Sequence, residues 1–122
     1  MSETKTRRET GLAGEELGER YLKKNGYQIV ARNVRSPFGE IDVVAKDGKT
    51  LVFVEIKTRR SHLFGLPEEA IDRRKKERLI RLASWYLAQN FTVHQEVRFD
   101  VLAVELNDGA PEIRLIQNAF QL

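Results

Sequence analysis

Two stretches of the chain repeat their small and apolar residues at helical spacing. From about residue 10 to residue 25 this repeat predicts a first helix, and Asn25-Gly26 is typical of a helix end. A second repeat predicts a helix from about Pro67 to about Asn90, because proline suits the first helical turn. The stripe of the first helix consists of Gly14, Leu17, Gly18, Tyr21 and Leu22.

Alternating or continuous apolar runs predict five strands. They cover residues 27–33, 40–46, 51–58, 93–105 and 112–120. The run from Leu51 to Ile56 is almost unbroken, which favours a central strand covered on both faces. Asp47-Gly48 is a hairpin signal. The order α-β-β-β-α-β-β predicts a mixed α/β domain, with a central mixed β-sheet flanked by helices.

Composition narrows the class of protein. The chain of 122 residues has the size of one domain, which we expect to span residues 9–122 after a disordered polar start at residues 1–8. It has no cysteine, so disulfides, thiolate catalysis and cysteine-ligated zinc are excluded. No apolar segment follows the basic residues of the start, and none is long enough to span a bilayer. We therefore expect a cytoplasmic protein with no membrane contact.

Positive charge is concentrated in one part of the chain. The net charge is +3, yet the window from Lys57 to Arg81 holds nine basic and four acidic residues. Such a patch indicates a polyanionic partner, although a solvated helix face is the alternative. The residues expected to contact nucleic acid are Arg59, Arg60, Arg73, Arg74, Lys75, Lys76 and Arg78.

Two carboxylates and a lysine are expected to meet in the hairpin of the second and third strands. Side chains alternate along a strand, so Glu55 and Lys57 share a face. A two-residue loop would place Asp42 opposite Phe53, and a four-residue loop would place it opposite Glu55. Either register puts Asp42 on the face of Glu55 and Lys57, and only an odd loop without a bulge would separate them.

Charges on a buried strand are costly unless they are paired or bound to a metal. Oxygen ligands of this kind suit Mg²⁺ (or Mn²⁺), which prefers one or two carboxylates together with phosphate oxygens. A lysine beside them could orient a water molecule or stabilise charge on a phosphate. The cluster therefore predicts phosphodiester hydrolysis. The alternative is an ordinary Glu55–Lys57 ion pair, with Asp42 paired to an arginine.

Each helix offers one further charged residue. Glu15 lies at the edge of the first apolar stripe and is the acid of that helix best placed to reach inward. It could equally be a glutamate that favours the helix dipole. Lys75 falls inside the apolar face of the second helix, where it could extend towards solvent or reach the carboxylates.

Taken together, these motifs resemble the YraN-like bacterial family of the PD-(D/E)XK nuclease superfamily, over nearly the whole chain after the polar start. The residues that carry the resemblance are Gly14-Glu15, Tyr21-Leu22, Gly26-Tyr27, Arg32-Asn33, Gly39-Glu40-Ile41-Asp42, Phe53-Val54-Glu55-Ile56-Lys57-Thr58-Arg59, Lys75 and Arg98-Phe99-Asp100. The resemblance implies a restriction-endonuclease-like fold, similar to archaeal Holliday-junction resolvases. It also implies catalytic roles for Glu15, Asp42, Glu55 and Lys57, with Asp42 and Glu55 as the Mg²⁺ ligands.

Three functions remain open at this point. The first is a metal-dependent DNA endonuclease acting on duplex or branched DNA, without a small-molecule cofactor. The second is a nucleic-acid-binding module without turnover, and the third is a structural partner in a DNA repair or uptake assembly. A homodimer is compatible with each of them.

Overall fold

The described residues form two helices and a five-stranded sheet. A computed structural model describes residues 7–60, 72–90, 95–107 and 109–120. The elements are α1 (Arg7–Lys24), β1 (Gln28–Ser36), β2 (Gly39–Asp47), β3 (Thr50–Arg59), α2 (Arg73–Asn90), β4 (Val97–Glu105) and β5 (Glu112–Ile116). The predicted order of helices and strands is confirmed. Neither helix is long and apolar enough to cross a membrane, within the part of the chain that is described.

The sheet has the strand order β1-β2-β3-β4-β5, and only β3 and β4 run parallel. The predicted mixed sheet is therefore confirmed, with α2 in the connection between its parallel strands. On one face, here called the α2 face, Leu82 of α2 packs in one cluster with Phe53. On the opposite α1 face, Leu22 of α1 packs with Val52 and Val54. β3 is thus covered on both faces, as its unbroken apolar run predicted.

Some predicted element ends lie outside the described residues, and one differs from its prediction. The predicted helix start at Pro67 lies outside the described residues; α2 is seen from Arg73, and the side chain of Asp72 accepts a hydrogen bond of 2.9 Å from the Lys75 N–H. That contact is a helix N-cap. The predicted strand start at Val93 also lies outside the described residues. Of the predicted polar start, residues 1–6 lie outside them, and α1 already begins at residue 7.

Two strand ends were predicted wrongly because asparagine can adopt a positive φ inside or after a strand. Asn33 has a φ of 48°, yet β1 continues through it to Ser36 instead of ending there. Asn118 has a φ of 51° and follows the end of β5 at Ile116. The predicted last strand residue, Phe120, therefore packs into the α2-face cluster rather than the sheet.

Two glycines allow α1 to lie directly on the sheet. A Cβ atom on Gly14 would stand 1.9 Å from Oγ1 of Thr58, and one on Gly18 would stand 2.8 Å from Cδ2 of Leu102. Because β-branched Thr58 has little freedom to turn away, Gly14→Ala should destabilise the protein by about 1–3 kcal/mol despite the better helix propensity of alanine. Urea unfolding of the purified variant measures this change.

Gly11 provides the matched control in the same helix. Among the described residues, no atom beyond the adjacent residues and the helix backbone lies within 4 Å of a Cβ built there, so Gly11→Ala should gain the helix-propensity difference of roughly 0.5–1 kcal/mol. Equal stabilisation by Gly11→Ala and Gly14→Ala would contradict the close packing of α1 on β3.

Candidate active site

The hairpin of β2 and β3 adopts the second of the two predicted registers. Asp47 pairs with Thr50 and Val43 pairs with Val54, so Asp42 falls opposite Glu55. The alternative pairing of Lys46 with Lys49 is not formed. The ladder stops at Val43, and beyond it the Oδ2 atom of Asp42 accepts a hydrogen bond of 2.7 Å from the Ile56 N–H.

Asp42 lies where β2 changes face. Ile41 and Val43 should share one face of a regular strand, yet Ile41 packs in the α2-face cluster and Val43 in the α1-face cluster. The assumption of regular alternation at Asp42 was therefore wrong. The carboxylate instead takes the place of a main-chain acceptor for β3, which holds it against Ile56, beside Glu55.

Glu55 is the centre of a charged cluster on the α2 face. Its Oε1 atom lies 3.2 Å from Nζ of Lys57 and 3.7 Å from Nζ of Lys75 in α2. Its side chain is only 11% exposed, and its Oε2 atom has no hydrogen-bond partner among the described residues. The predicted proximity of Glu55 and Lys57 is confirmed. Of the two interpretations of Lys75, the structure agrees with the one in which its side chain reaches the carboxylates.

The acids around Asp42 perturb one another. Burial and then the charge of Glu55 raise the pKa of Asp42 to about 7, although the Ile56 N–H and the charge of Lys57 oppose the rise. Burial, followed by the charges of Glu40 and Glu19, also raises the pKa of Glu15, which lies within hydrogen-bonding reach of Asp42. α1, β2 and β3 therefore bring the three predicted acids together. Among them, the carboxyl group of Asp42 can keep its proton up to a pH of about 7.

The opposite perturbation affects the lysine from α2. Burial lowers the pKa of Lys75 to about 8, and the nearby positive charge of Lys57 adds to this effect. The negative charge of Glu55 opposes it, and the charge of Arg78 reinforces it. The cluster therefore combines a carboxyl group that resists ionisation with an ammonium group that loses its proton easily, as catalytic sites commonly do.

The donor set fits a hard divalent cation. Glu55 presents an unpartnered buried oxygen, and Asp42 is a carboxylate held close to it. A cation between them would remove the repulsion that raises the Asp42 pKa. Within the described residues no three histidine or acidic side chains form a ready metal cluster, so Asp42 and Glu55 would act as a two-carboxylate site completed by water and phosphate oxygens.

The basic residues expected to bind nucleic acid occupy different surroundings. Lys75 belongs to the Glu55 cluster, whereas Arg73 is exposed and lies 3.4 Å from Glu77. Nζ of Lys76 lies 5.8 Å from the centre of the Phe120 ring. Arg59 is the last residue of β3, and Arg60 follows it. Arg74 and Arg78 line an open cavity beside the turn between β1 and β2.

A second charged cluster lies apart from the Glu55 cluster and joins the strands. The guanidinium group of Arg98 donates hydrogen bonds to Asp100, Asp47 and the hydroxyl of Tyr27, at 2.8 to 3.0 Å. The hydroxyl of Tyr27 in turn donates to Asp100 at 2.8 Å. Arg98 and Asp100, two positions apart in β4, therefore form a structural ion pair. The role of Tyr27 in this cluster could not be recognised from the sequence, because its partner Asp100 lies 73 positions further along the chain.

Sequence analysis also missed Phe38, an exposed aromatic residue in the turn between β1 and β2. The available signal was an aromatic side chain placed between Pro37 and Gly39, where a buried residue is not expected.

These features define a mixed α/β protein with acids from three elements meeting two lysines at the centre of its sheet. The chain belongs to the family described as "Uncharacterised protein family UPF0102", whose model matches residues 14–104. The predicted family resemblance is confirmed at this level. The matched range contains all four predicted catalytic residues as well as Lys75.

Relatives of similar length cover nearly the whole chain. UPF0102 protein STH1475 of Symbiobacterium thermophilum is 52% identical over 93% of this chain and 97% of its own length. A UPF0102 protein of Desulfosudis oleivorans is 46% identical over 93% of this chain and 91% of its own. A UPF0102 protein of Caldicellulosiruptor saccharolyticus is 46% identical over 93% of this chain and 98% of its own length.

Proposed function

We propose that this protein is a metal-dependent endonuclease of the PD-(D/E)XK superfamily that hydrolyses phosphodiester bonds in DNA. The observation that carries the proposal is that charged residues from three separate elements lie close together. They are Glu15 of α1, Asp42 of β2, and Glu55 and Lys57 of β3. Burying such acids close together costs stability, and a bound cation would offset that cost. Their side-chain chemistry suits a cation and a phosphate group.

Asp42 and Glu55 are the residues that would hold Mg²⁺ or Mn²⁺. When bound, the cation would polarise a phosphate oxygen and lower the pKa of a coordinated water molecule. Asp42 keeps one oxygen on the Ile56 N–H and so holds its position in both protonation states. Glu55 directs Oε1 towards the two lysines and leaves Oε2 without a protein partner among the described residues.

Lys57 and Glu15 would act on the water and the phosphate directly. Nζ of Lys57 is anchored 3.2 Å from Glu55, from where it can orient an attacking water molecule and stabilise negative charge that develops on the phosphate. Glu15, with its raised pKa, can accept a proton near neutral pH more readily than an ordinary glutamate. Lys75 neutralises Glu55 from the α2 side and is a positioning residue.

A cleavage assay on a panel of DNAs tests the proposal. Blunt duplex, four-way junction, overhang and single-stranded DNA of matched length are incubated with Mg²⁺, Mn²⁺ or a chelator. We expect cleavage of at least one substrate with either metal and none with the chelator. Metal-independent cleavage, or binding without cleavage under all these conditions, would contradict it, and the latter would favour the non-catalytic binding module.

The basic residues that follow β3 should supply affinity that is independent of sequence. Replacing Arg59 and Arg60 with alanine should weaken DNA binding equally across sequences, and should reduce the slope of log K against log salt by about 0.9 for each phosphate that is no longer neutralised. Fluorescence anisotropy at 50 to 200 mM salt, as rough limits, measures this slope. Arg20→Ala, on the exposed face of α1, is the control. Binding that is unaffected by salt would favour a protein partner instead.

A further inference from the structure

An open cavity of about 260 Å³ lies between α2 and the turn that joins β1 to β2. Its lining consists of Phe38, Arg74, Glu77, Arg78 and Arg81. One aromatic ring and three guanidinium groups therefore surround a space just below the roughly 300 Å³ at which small-molecule sites begin. The combination of an aromatic ring with cations is typical of sites for single-stranded nucleic acid.

The turn holds Phe38 in an exposed position. The hydroxyl of Ser36 accepts a hydrogen bond from the Phe38 N–H at 3.0 Å and donates one to the Gly39 carbonyl at 2.9 Å. Gly39 adopts a φ of 125°, which a residue with a side chain would rarely accept, and it lies against the side chain of Arg78. The ring remains 39% exposed, although the backbone around it is fixed.

The charges of the cavity are unbalanced. Arg74, Arg78 and Arg81 form no ion pair with any residue that the structure describes. The one acid in the lining, Glu77, lies 3.4 Å from Arg73, which offsets its charge. Among the described residues the cavity therefore presents a net positive surface, which fits an anion better than a basic peptide.

The cavity lies close to the candidate active site. Arg78 is close enough to Lys75 for its charge to act on that lysine, and Lys75 contacts Glu55. Phe38 and Asp42 are four residues apart along one hairpin, so about 13 Å of extended chain separates them. A nucleic-acid strand lying along this row of cations would reach both places.

We propose that this cavity binds one unpaired nucleotide of the DNA substrate, with the base stacked on Phe38 and its phosphates paired with Arg74, Arg78 and Arg81. The inference rests on the proposed nuclease function and specifies its substrate as DNA with a single-stranded segment beside the cleavage site. In a continuous duplex each base is already stacked between its neighbours, so Phe38 would have no free base face to cover.

Binding measured without added metal tests this proposal while no strand is cut. The probes are a labelled duplex with a single-stranded overhang, the same overhang with one abasic position, and a blunt duplex. Phe38→Ala should reduce the preference for the overhang over the blunt duplex by about tenfold, as expected for the loss of one stacked base. Phe38→Trp should restore the preference for the overhang. Val30→Ala, which truncates an exposed apolar residue of β1, should leave that preference unchanged.

The abasic probe separates base stacking from a general disturbance of the turn. Scanned along the overhang, one abasic position should weaken binding by the native protein and have no effect on Phe38→Ala. If the variant lowers overhang and blunt-duplex affinity equally, or if no abasic position matters to the native protein, the inference is wrong. Mg²⁺-dependent cleavage assayed in parallel distinguishes the two proposals: cleavage without any Phe38-dependent preference rejects the nucleotide site alone, and base-dependent binding without cleavage rejects the nuclease function.

Discussion

Asp42→Asn and Glu55→Gln should each reduce Mg²⁺-dependent DNA cleavage by roughly a thousandfold or more. A cation at the proposed site would lower the barrier by several kcal/mol, and each variant removes a charged ligand that would hold it. In the native protein, Mg²⁺ at 100 times Kd would stabilise the fold by about 2.7 kcal/mol and raise the melting temperature, and the same variants should lose that rise. Single-turnover cleavage and thermal unfolding with and without Mg²⁺ measure the two effects.

Lys57→Ala separates metal binding from catalysis. An ammonium group is not a metal ligand, so this variant should retain the Mg²⁺-dependent rise in melting temperature while cleavage falls as steeply. Glu16→Gln removes a charge from the exposed face of α1 and should alter neither measurement. If Asp42→Asn and Glu55→Gln respond to Mg²⁺ as the native protein does, the acids are not ligands and the simple ion-pair interpretation is correct.

Without metal, Asp42→Asn should make the protein more stable at pH 8. The pKa of this carboxyl group is about 7 in the folded protein, against 3.8 ordinarily, so the folded state binds more protons than the unfolded state between these values. The contribution of Asp42 to the free energy of unfolding is therefore lost as the pH rises from about 4 through 7, and stays lost above. The perturbation corresponds to roughly 2–4 kcal/mol.

Chemical unfolding of both proteins between pH 4 and pH 8, with a chelator present, measures that difference. The asparagine amide oxygen can still accept the hydrogen bond from the Ile56 N–H, so the variant removes the charge while keeping the contact with β3. The gain should be largest at pH 8 and small near pH 4, where Asp42 is protonated in the folded state and only partly ionised in the unfolded state. A gain that does not change with pH would show that the buried charge of Asp42 is not its cause.

The sequence was sufficient to place most of the fold and the acids of the site. The unbroken apolar run of β3 could be interpreted without knowing its neighbours, because both of its faces are buried whichever strands flank it. Glu55 and Lys57 follow from strand alternation alone. Glu15 could be placed at the edge of the α1 stripe, since helical periodicity is a local property.

Features that depend on irregular backbone could not be predicted in this way. Strand alternation predicts Asp42 near Glu55, but no periodic pattern records that Ile41 and Val43 pack on opposite faces or that Asp42 accepts a hydrogen bond from the Ile56 N–H. Asn33 lies in β1 at a positive φ, which resembles a strand end in the sequence. The cavity beside Phe38 forms only when the turn meets α2, and that contact joins residues about 40 positions apart.

The connection between β3 and β4 has a consequence for how the chain folds. The first three strands form an antiparallel meander of short loops, which closes quickly, whereas parallel pairing must wait until the whole segment containing α2 has crossed the sheet. Asp42 and Glu55 therefore come together in the early-forming part, and Lys75 arrives only with the later step. During synthesis on the ribosome, the acids therefore leave the exit tunnel before Lys75, the lysine of α2 that helps to neutralise them.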